Sequence, residues 1–319
     1  MFAGLLDGYT QSLLTFAGIH VIAAYSFYAP YKTGQVSLGQ AGFMAVGAYA
    51  AAILTQKFGL PFAVALLFGG AVAGIIGVAV GFPALRIKGI YLLLLTLGFA
   101  EIISVIALSW EYVGGAQGFR NISFNPYTLD YVVGIIVVLL LFFARIERSS
   151  LGRAMDSVHQ DETAAEVMGI DVVRVKLLAF GLGAFIAGLA GALYAHHATF
   201  MDSTTFNIML GVEILMFVVV GGGSTYWGPL VGALALNAIP EVLRALREWL
   251  ELVPVEWTKA YPLDRIYDFL YGFLDFENAK RLIAYGVILI IMMIVRPDGL
   301  LTRDSLRRLR IRRWKVGHA

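Results

Sequence analysis

The sequence predicts an all-α polytopic membrane protein with about nine transmembrane helices. Of its 319 residues, 59% are apolar and 14% are charged, whereas about a quarter of the residues in an ordinary soluble domain are charged. Several uncharged apolar runs approach the roughly 20 residues that a helix needs to cross a bilayer. The chain has no cysteine, which excludes disulfides, redox dithiols and thiolate metal sites.

Apolar runs define the candidate spans. They lie at residues 9–29, 38–56, 61–85, 89–110, 130–145, 176–198, 207–222, 229–246 and 280–296. No basic residue precedes the first run, so we expect a retained span rather than a secretory signal peptide. The spans are predicted to form one transmembrane domain over residues 1–302, followed by a basic tail at residues 303–319.

Basic residues orient the spans, because Lys and Arg concentrate in cytoplasmic loops. If residues 146–175 are cytoplasmic, nine spans place the N-terminus outside and the C-terminus in the cytoplasm. Most of the 24 Lys and Arg residues then lie inside. The sequence therefore predicts a multi-pass protein of the plasma (inner) membrane. Its basic tail is predicted to be an anchor held by anionic membrane lipids, not a nucleic-acid site.

Small residues at four-residue spacing mark helix faces that approach one another closely, since lipid provides no hydrophobic drive for helix association. One such face carries Gly70, Gly74, Gly77 and Gly81. A second carries Gly183, Ala187 and Gly191, with Gly188 and Ala192 beside them. Both faces are predicted to be buried between helices.

Two stretches interrupt the apolar pattern with glycine and polar residues, at Gly34–Phe43 and Gly221–Pro229. Transporters use discontinuous helices of this kind, because unwound backbone is tolerated in a membrane only where it lines a cavity or is buried in protein. Ordinary tight loops have the same composition. On the transporter interpretation, the pathway candidates in the first stretch are Gly34, Gln35, Ser37, Gly39 and Gln40.

Ionisable residues also fall inside apolar runs. Glu101 and Glu213 are pathway candidates, since a carboxylate within a membrane usually faces the bundle interior or a wet cavity. The alternatives are neutral, hydrogen-bonded interhelical contacts or positions nearer the interface. His20 is expected to be a satisfied helix contact. His196 and His197 have no ligand-spaced partner, so neither a metal site nor a catalytic site is predicted.

Residues 146–175 combine charge with apolar residues at helical spacing. Ala154, Val158, Ala165 and Met168 are predicted to share one face, and Gly169 to end the helix. The segment is either a solvated amphipathic helix or a docking element for a cytoplasmic partner. Residues 241–279 form an acidic extracytoplasmic loop, for which we expect one or two helices along the outer membrane interface.

The absence of two motifs narrows the range of possible functions. No GxxxxGK[ST] sequence occurs, so the chain has no Walker A loop with which to hold ATP phosphates. No GxSxG nucleophile elbow occurs either, which argues against an enzyme. The residues thus favour a transport protein without its own ATPase and without a bound cofactor.

Five segments resemble one known family, the permease subunits of branched-chain amino acid ATP-binding cassette transporters of the LivM type. YKTGQVSLGQAGFMAVGAYAAA resembles the family's GxxGQxSLGHxxFxxxGAY signature, with Gln40 where His is common. The most specific match is SLGRAMDSVHQDETAAEVMGIDVVRVKLLAFGLGAFIAGLAGALYA. The matching segments are Tyr31–Ala52, Leu85–Ile102, Gly114–Phe119, Ser150–Ala195 and Arg296–Leu300.

This resemblance implies a membrane subunit that pairs with a homologous permease, two cytoplasmic ATPase subunits that bind ATP, and an extracytoplasmic substrate-binding protein. It also implies that the segment at 146–175 contains a cytoplasmic coupling helix that contacts the ATPase. Carried over by position, the coupling residues are Gly152, Arg153, Asp161, Glu162, Ala165 and Gly169. His159 and Gln160 depart from the family pattern, in which Arg tends to precede the acidic pair.

The expected function is import of branched-chain amino acids, or of a related small polar substrate, driven by ATP hydrolysed on separate subunits. The alternative is an ion-coupled secondary transporter, which the two glutamates and the broken helices also permit.

Overall fold

The computed structural model describes residues 7–87, 89–251 and 286. In this part of the chain every regular element is helical, apart from an isolated antiparallel bridge between Phe119 and Met201. The α-helices are α1 (Gly8–Tyr31), α2 (Gln40–Phe58), α3 (Phe62–Ala84), α4 (Ile90–Ser109), α5 (Thr128–Arg148), α6 (Ser150–Gln160), α7 (Glu162–Val167), α8 (Val172–Ala198), α9 (Ile208–Gly221) and α10 (Gly228–Glu251).

Eight of the predicted apolar runs fall on α-helices, namely α1–α5 and α8–α10. Within the described residues α1, α3, α4, α5 and α8 are long and apolar enough to cross a membrane, and shorter apolar stretches lie at Ile208–Gly221 and Gly228–Val242. The predicted span at 280–296 lies outside the described residues except for Gly286, as does the tail at 303–319. The number of nine spans therefore stays a prediction.

The predicted span at 229–246 and the start of the predicted loop at 241–279 lie on one helix, α10. Helix α10 continues through Pro240 to Glu251, so the first residues of the predicted loop at 241–279 extend this helix. The cause is an apolar spacing that persists past Pro240, since a proline bends a helix without necessarily ending it. The rest of that loop lies outside the described residues.

Helix α8 is the centre of the bundle, and α1, α2 and α3 pack around it. Glycine permits this packing. A Cβ atom added to Gly77 on α3 would lie 2.2 Å from the Cβ of Ala184 on α8, and one added to Gly191 would lie 1.9 Å from the carbonyl oxygen of Met44 on α2. The small-residue faces are therefore buried between helices, as predicted.

We predict that Gly191→Ala destabilises the protein by about 1–3 kcal/mol, because its new methyl group must displace the backbone of α2. The matched control is Gly134→Ala on α5, where an added Cβ meets nothing within 4 Å. This control should be neutral or stabilising by up to about 1 kcal/mol, since alanine favours a helix over glycine. Thermal unfolding in detergent measures both, and equal effects would contradict the packing assignment.

Candidate functional site

Both predicted interruptions are real breaks between helices. Break 1 comprises residues 32–39, between α1 and α2, and break 2 comprises residues 222–227, between α9 and α10. Gly34 in break 1 has φ +77° and Gly222 in break 2 has φ +100°. Residues other than glycine rarely adopt such positive backbone φ angles.

Break 1 is buried, and its polar groups are partly satisfied inside the protein. The Gln35 side-chain amide donates to the hydroxyl of Thr33 at 2.6 Å and to the carbonyl of Lys176 on α8 at 3.2 Å. The backbone amide of Leu38 donates to the Thr96 hydroxyl on α4 at 3.1 Å. Of the predicted pathway residues in this break, Gln35, Ser37 and Gly39 are buried and Gly34 is exposed, while Gln40 is buried at the start of α2.

Within residues 146–175 we predicted one amphipathic helix ending at Gly169. Its residues 149–170, here called the coupling segment, do not form a single helix. The segment contains two helices, α6 and α7, divided at Asp161, whose φ of −157° is extended. The Asp161 carboxylate accepts hydrogen bonds from the amides of Thr163 at 2.8 Å and Ala164 at 3.1 Å. Asp161 thus starts a new helix as its N-cap.

The restart at Asp161 also changes the predicted inner face. Met155, Val158 and Ala165 are buried against the bundle. Met168 was predicted to join them but is 82% exposed, and Val167 beside it is 83% exposed. The reason is that α7 ends at Val167, where the amide of Ile170 donates to the carbonyl of Ala165 and Gly169 takes φ +81°. Val167 and Met168 form an outward apolar tip, here called the tip.

Glycine also shapes the other end of the coupling segment. A Cβ atom added to Gly152 would lie 2.0 Å from the carbonyl oxygen of Ile146, so the chain turns tightly from α5 into α6. The Ser149 hydroxyl caps α6 by accepting from the Gly152 amide at 3.2 Å. Arg153 is exposed on the outer face of α6. The coupling segment is therefore held in shape at both ends, with Arg153 and the tip facing away from the bundle.

Two buried lysines anchor the coupling segment, and sequence reasoning counted both only as topology signals. Lys176 on α8, 8% exposed, places its ammonium 2.5 Å from the Glu162 carboxylate on α7. Lys32 in break 1, 4% exposed, lies 3.4 Å from Asp156 on α6 and 3.8 Å from Glu147 on α5. A lysine is rarely buried unless it is paired, so each pair fixes the helix that carries its carboxylate.

The two breaks meet at the coupling segment. A polar cavity of 200 Å³ is bounded by residues from break 1 with Tyr31, from α6 and from break 2. Its lining residues are Tyr31, Lys32, Asp156, His159, Gln160, Gly223 and Ser224. The His159 ring nitrogen Nδ1 lies 3.0 Å from the carbonyl oxygen of Tyr31. His159 and Gln160, which depart from the family pattern, therefore face the helix breaks.

The structure places the two predicted glutamates on helices that border break 1. Glu101 is exposed on α4, the helix whose Thr96 hydroxyl binds break 1. Glu213 is half-buried on α9, where a Cβ atom added to Gly211 would lie 2.9 Å from the carbonyl oxygen of Leu38. Glu213 has an interaction of its own.

The remaining predicted residues are helix contacts. His20 on α1 has its Nδ1 2.7 Å from the side-chain oxygen of Asn237 on α10. His196 lies buried on α8, with Nε2 2.9 Å from the Thr55 hydroxyl on α2. The part of the chain that the structure describes contains no group of three or more His, Asp or Glu placed to hold a metal ion.

We predict that Glu162→Gln destabilises the protein by about 1–3 kcal/mol, because it leaves the buried Lys176 ammonium without its counter-charge. The matched control is Arg174→Gln, which removes the exposed pair between Arg174 and Asp171 at 2.8 Å. An exposed pair contributes about 0–1 kcal/mol. Thermal unfolding in detergent measures the two changes, and an equally small effect of both would show that the buried pair does not anchor α7.

Comparison with known proteins identifies the family of this chain. The family model described as branched-chain amino acid transport system / permease component matches residues 9–294. The chain is 29% identical to the high-affinity branched-chain amino acid transport system permease protein LivM of Salmonella typhimurium, over 91% of this chain and 68% of the relative. The LivM protein of Escherichia coli gives the same identity and coverage.

A further relative is the galactofuranose transporter permease protein YtfT of Escherichia coli, 25% identical over 74% of this chain and 72% of the relative. No solved structure matches the chain. The family match covers most of the sequence, including both breaks, the coupling segment and the packed face of α8. The chain therefore belongs to the family of branched-chain amino acid transport permease components.

Proposed function

We propose that the chain is the membrane-spanning permease subunit of an ATP-binding cassette importer, and that ATP hydrolysed on separate subunits drives its transport cycle. The observation that carries this proposal is the coupling segment. It is clamped to the bundle by two buried lysines and yet presents an apolar tip at Val167 and Met168, more than 80% exposed. A rigid element with exposed apolar side chains is suited to a protein partner.

The six coupling residues inferred from the family resemblance divide into two groups. Gly152, Asp161, Ala165 and Gly169 give the segment its shape through a tight turn, a cap, a buried contact and a left-handed helix end. Arg153 and Glu162 carry charge, and Arg153 is exposed, with its Nη1 donating to the carbonyl of Arg148 at 3.4 Å. We propose that an ATPase subunit binds the tip and Arg153, while the first group keeps that surface in place.

Branched-chain amino acids are the proposed cargo. Two LivM relatives carry that substrate class in their names and match 91% of the chain, whereas the galactofuranose relative matches less of it and at lower identity. We place the pathway beside break 1, with Gly34, Gln35, Ser37, Gly39, Gln40, Glu101 and Glu213 as its candidate residues. Both helices that carry the glutamates contact this break.

The proposed assembly contains a homologous permease, two cytoplasmic ATPase subunits and an extracytoplasmic substrate-binding protein. In the proposed orientation the coupling segment faces the cytoplasm, the N-terminus lies outside and the C-terminus lies in the cytoplasm of a cell with this protein in its plasma membrane. The bias of Lys and Arg toward the same side as the coupling segment supports this orientation.

We predict that the double variant Val167→Asp and Met168→Asp lowers substrate-stimulated ATP hydrolysis in the reconstituted complex by about tenfold or more, because a charge at an apolar contact is costly to bury. Folding should be preserved, since both side chains are exposed. The control is Val173→Asp, an exposed valine (54%) at the start of α8. Normal ATPase association and stimulation in the double variant would contradict tip docking.

We predict that Glu101→Gln and Glu213→Gln variants retain ATP-driven uptake, because an ATP-driven cycle does not need a carboxylate to carry a proton. Uptake into proteoliposomes with ATP on the ATPase side is the measurement. The opposite result would favour the ion-coupled alternative: loss of uptake in both variants, together with wild-type uptake that persists without ATPase subunits and collapses with the proton gradient.

A further inference from the structure

We propose that Lys32 is a positioning residue that links helix α6 to both helix breaks, so that a displacement of α6 is transmitted to break 1 and break 2 together. The proposal rests on the proposed function, because it assigns a route by which ATPase movement reaches the membrane. It starts from a buried cation between two carboxylates on different helices.

The position of Lys32 is unusual for a lysine. It is the first residue of break 1, its side chain is 3% exposed, and its ammonium makes no hydrogen bond to the described residues. Its nearest carboxylate oxygens belong to Asp156 at 3.4 Å and Glu147 at 3.8 Å. Both separations exceed the about 2.7–2.9 Å of a charge-assisted hydrogen bond, so the ammonium lies between two carboxylates and is hydrogen-bonded to neither.

Glu147 carries the connection to break 2. Its carboxylate oxygen Oε1 accepts hydrogen bonds from the backbone amide of Tyr226 at 3.2 Å and from the Tyr28 hydroxyl at 3.3 Å. Tyr226 lies in break 2, and its carbonyl oxygen accepts from the Tyr25 hydroxyl on α1 at 2.6 Å. One carboxylate therefore contacts the Lys32 side chain of break 1 and the backbone of break 2.

Asp156 carries the connection to the coupling segment. It lies on α6, is 29% exposed, and lines the 200 Å³ cavity that separates α6 from Gly223 and Ser224 of break 2. Because a buried ammonium needs a counter-charge, Lys32 must either follow Asp156 or turn fully to Glu147 when α6 moves. Either movement of the Lys32 side chain changes its contact with Glu147, which also binds the backbone of break 2.

A static ion pair and a coupling link make different predictions. A static pair stabilises the fold, and its removal lowers the melting temperature without changing the substrate transported per ATP in those complexes that remain folded. A coupling link, by contrast, sets that ratio directly. The ratio therefore distinguishes the two roles, since a merely structural residue does not change it.

The test uses the full complex of this chain with its partner permease, ATPase subunits and binding protein in proteoliposomes. The variants are Lys32→Met, Lys32→Arg and Asp156→Asn, and leucine uptake, ATP hydrolysis and melting temperature are measured for each. Lys57→Met is the matched control, because Lys57 is an exposed lysine at the far end of α2. Asp156 is partly exposed, so Asp156→Asn is expected to fold even if Lys32→Met does not.

We expect Asp156→Asn and Lys32→Met to lower the substrate transported per ATP by about tenfold, a size usual for coupled sites. ATP hydrolysis should continue, Lys32→Arg should recover most of the ratio, and Lys57→Met should leave it unchanged. If the Lys32→Met variant does not assemble, the substrate transported per ATP by the Asp156→Asn and Lys32→Arg variants tests the inference. An unchanged ratio in assembled Asp156→Asn complexes overturns the inference, whereas absence of ATP-driven uptake in the wild-type complex overturns the proposed function instead.

Discussion

The close approach of α8 to its neighbours is the constraint on which the rest of the structure depends. Glycines on α8, α2 and α3 allow backbones to touch where lipid offers no hydrophobic drive. The N-terminal end of α8, next to the coupling segment, then serves two purposes. Its Lys176 carbonyl accepts a hydrogen bond from Gln35 of break 1, and its Lys176 ammonium pairs with Glu162 of α7. Lys176 of α8 thus contacts both break 1, through its carbonyl, and the coupling segment, through its ammonium.

Irregular backbone within a membrane protein requires partners inside the protein, and both breaks obtain them from neighbouring helices. Break 1 uses Thr96 on α4 and the start of α8, while break 2 uses Glu147 on α5 and Tyr25 on α1. A change in either break therefore alters its hydrogen bonds to these helices. The family match over residues 9–294 identifies the setting as a transport permease.

Sequence patterns predicted eight of the apolar helices, both breaks and the small-residue faces, because each depends on local spacing or hydropathy. Sequence patterns failed where capping or tertiary contacts determine whether a side chain is buried. The helical spacing of residues 154–168 placed Met168 inside, but the cap at Asp161 restarts the helix and leaves Met168 exposed. Lys32 and Lys176 read as topology signals, since no local pattern shows that a distant carboxylate buries them.

Site-specific cross-linking from the tip tests the central claim most directly. The chain contains no cysteine, so Met168→Cys introduces a single thiol for a short heterobifunctional photo-cross-linker. In the assembled, ATP-hydrolysing complex, our account predicts one major adduct between this chain and an ATPase subunit. An intact, transporting complex in which this thiol forms no ATPase adduct, or is labelled by an impermeant reagent from outside the cell, would contradict it.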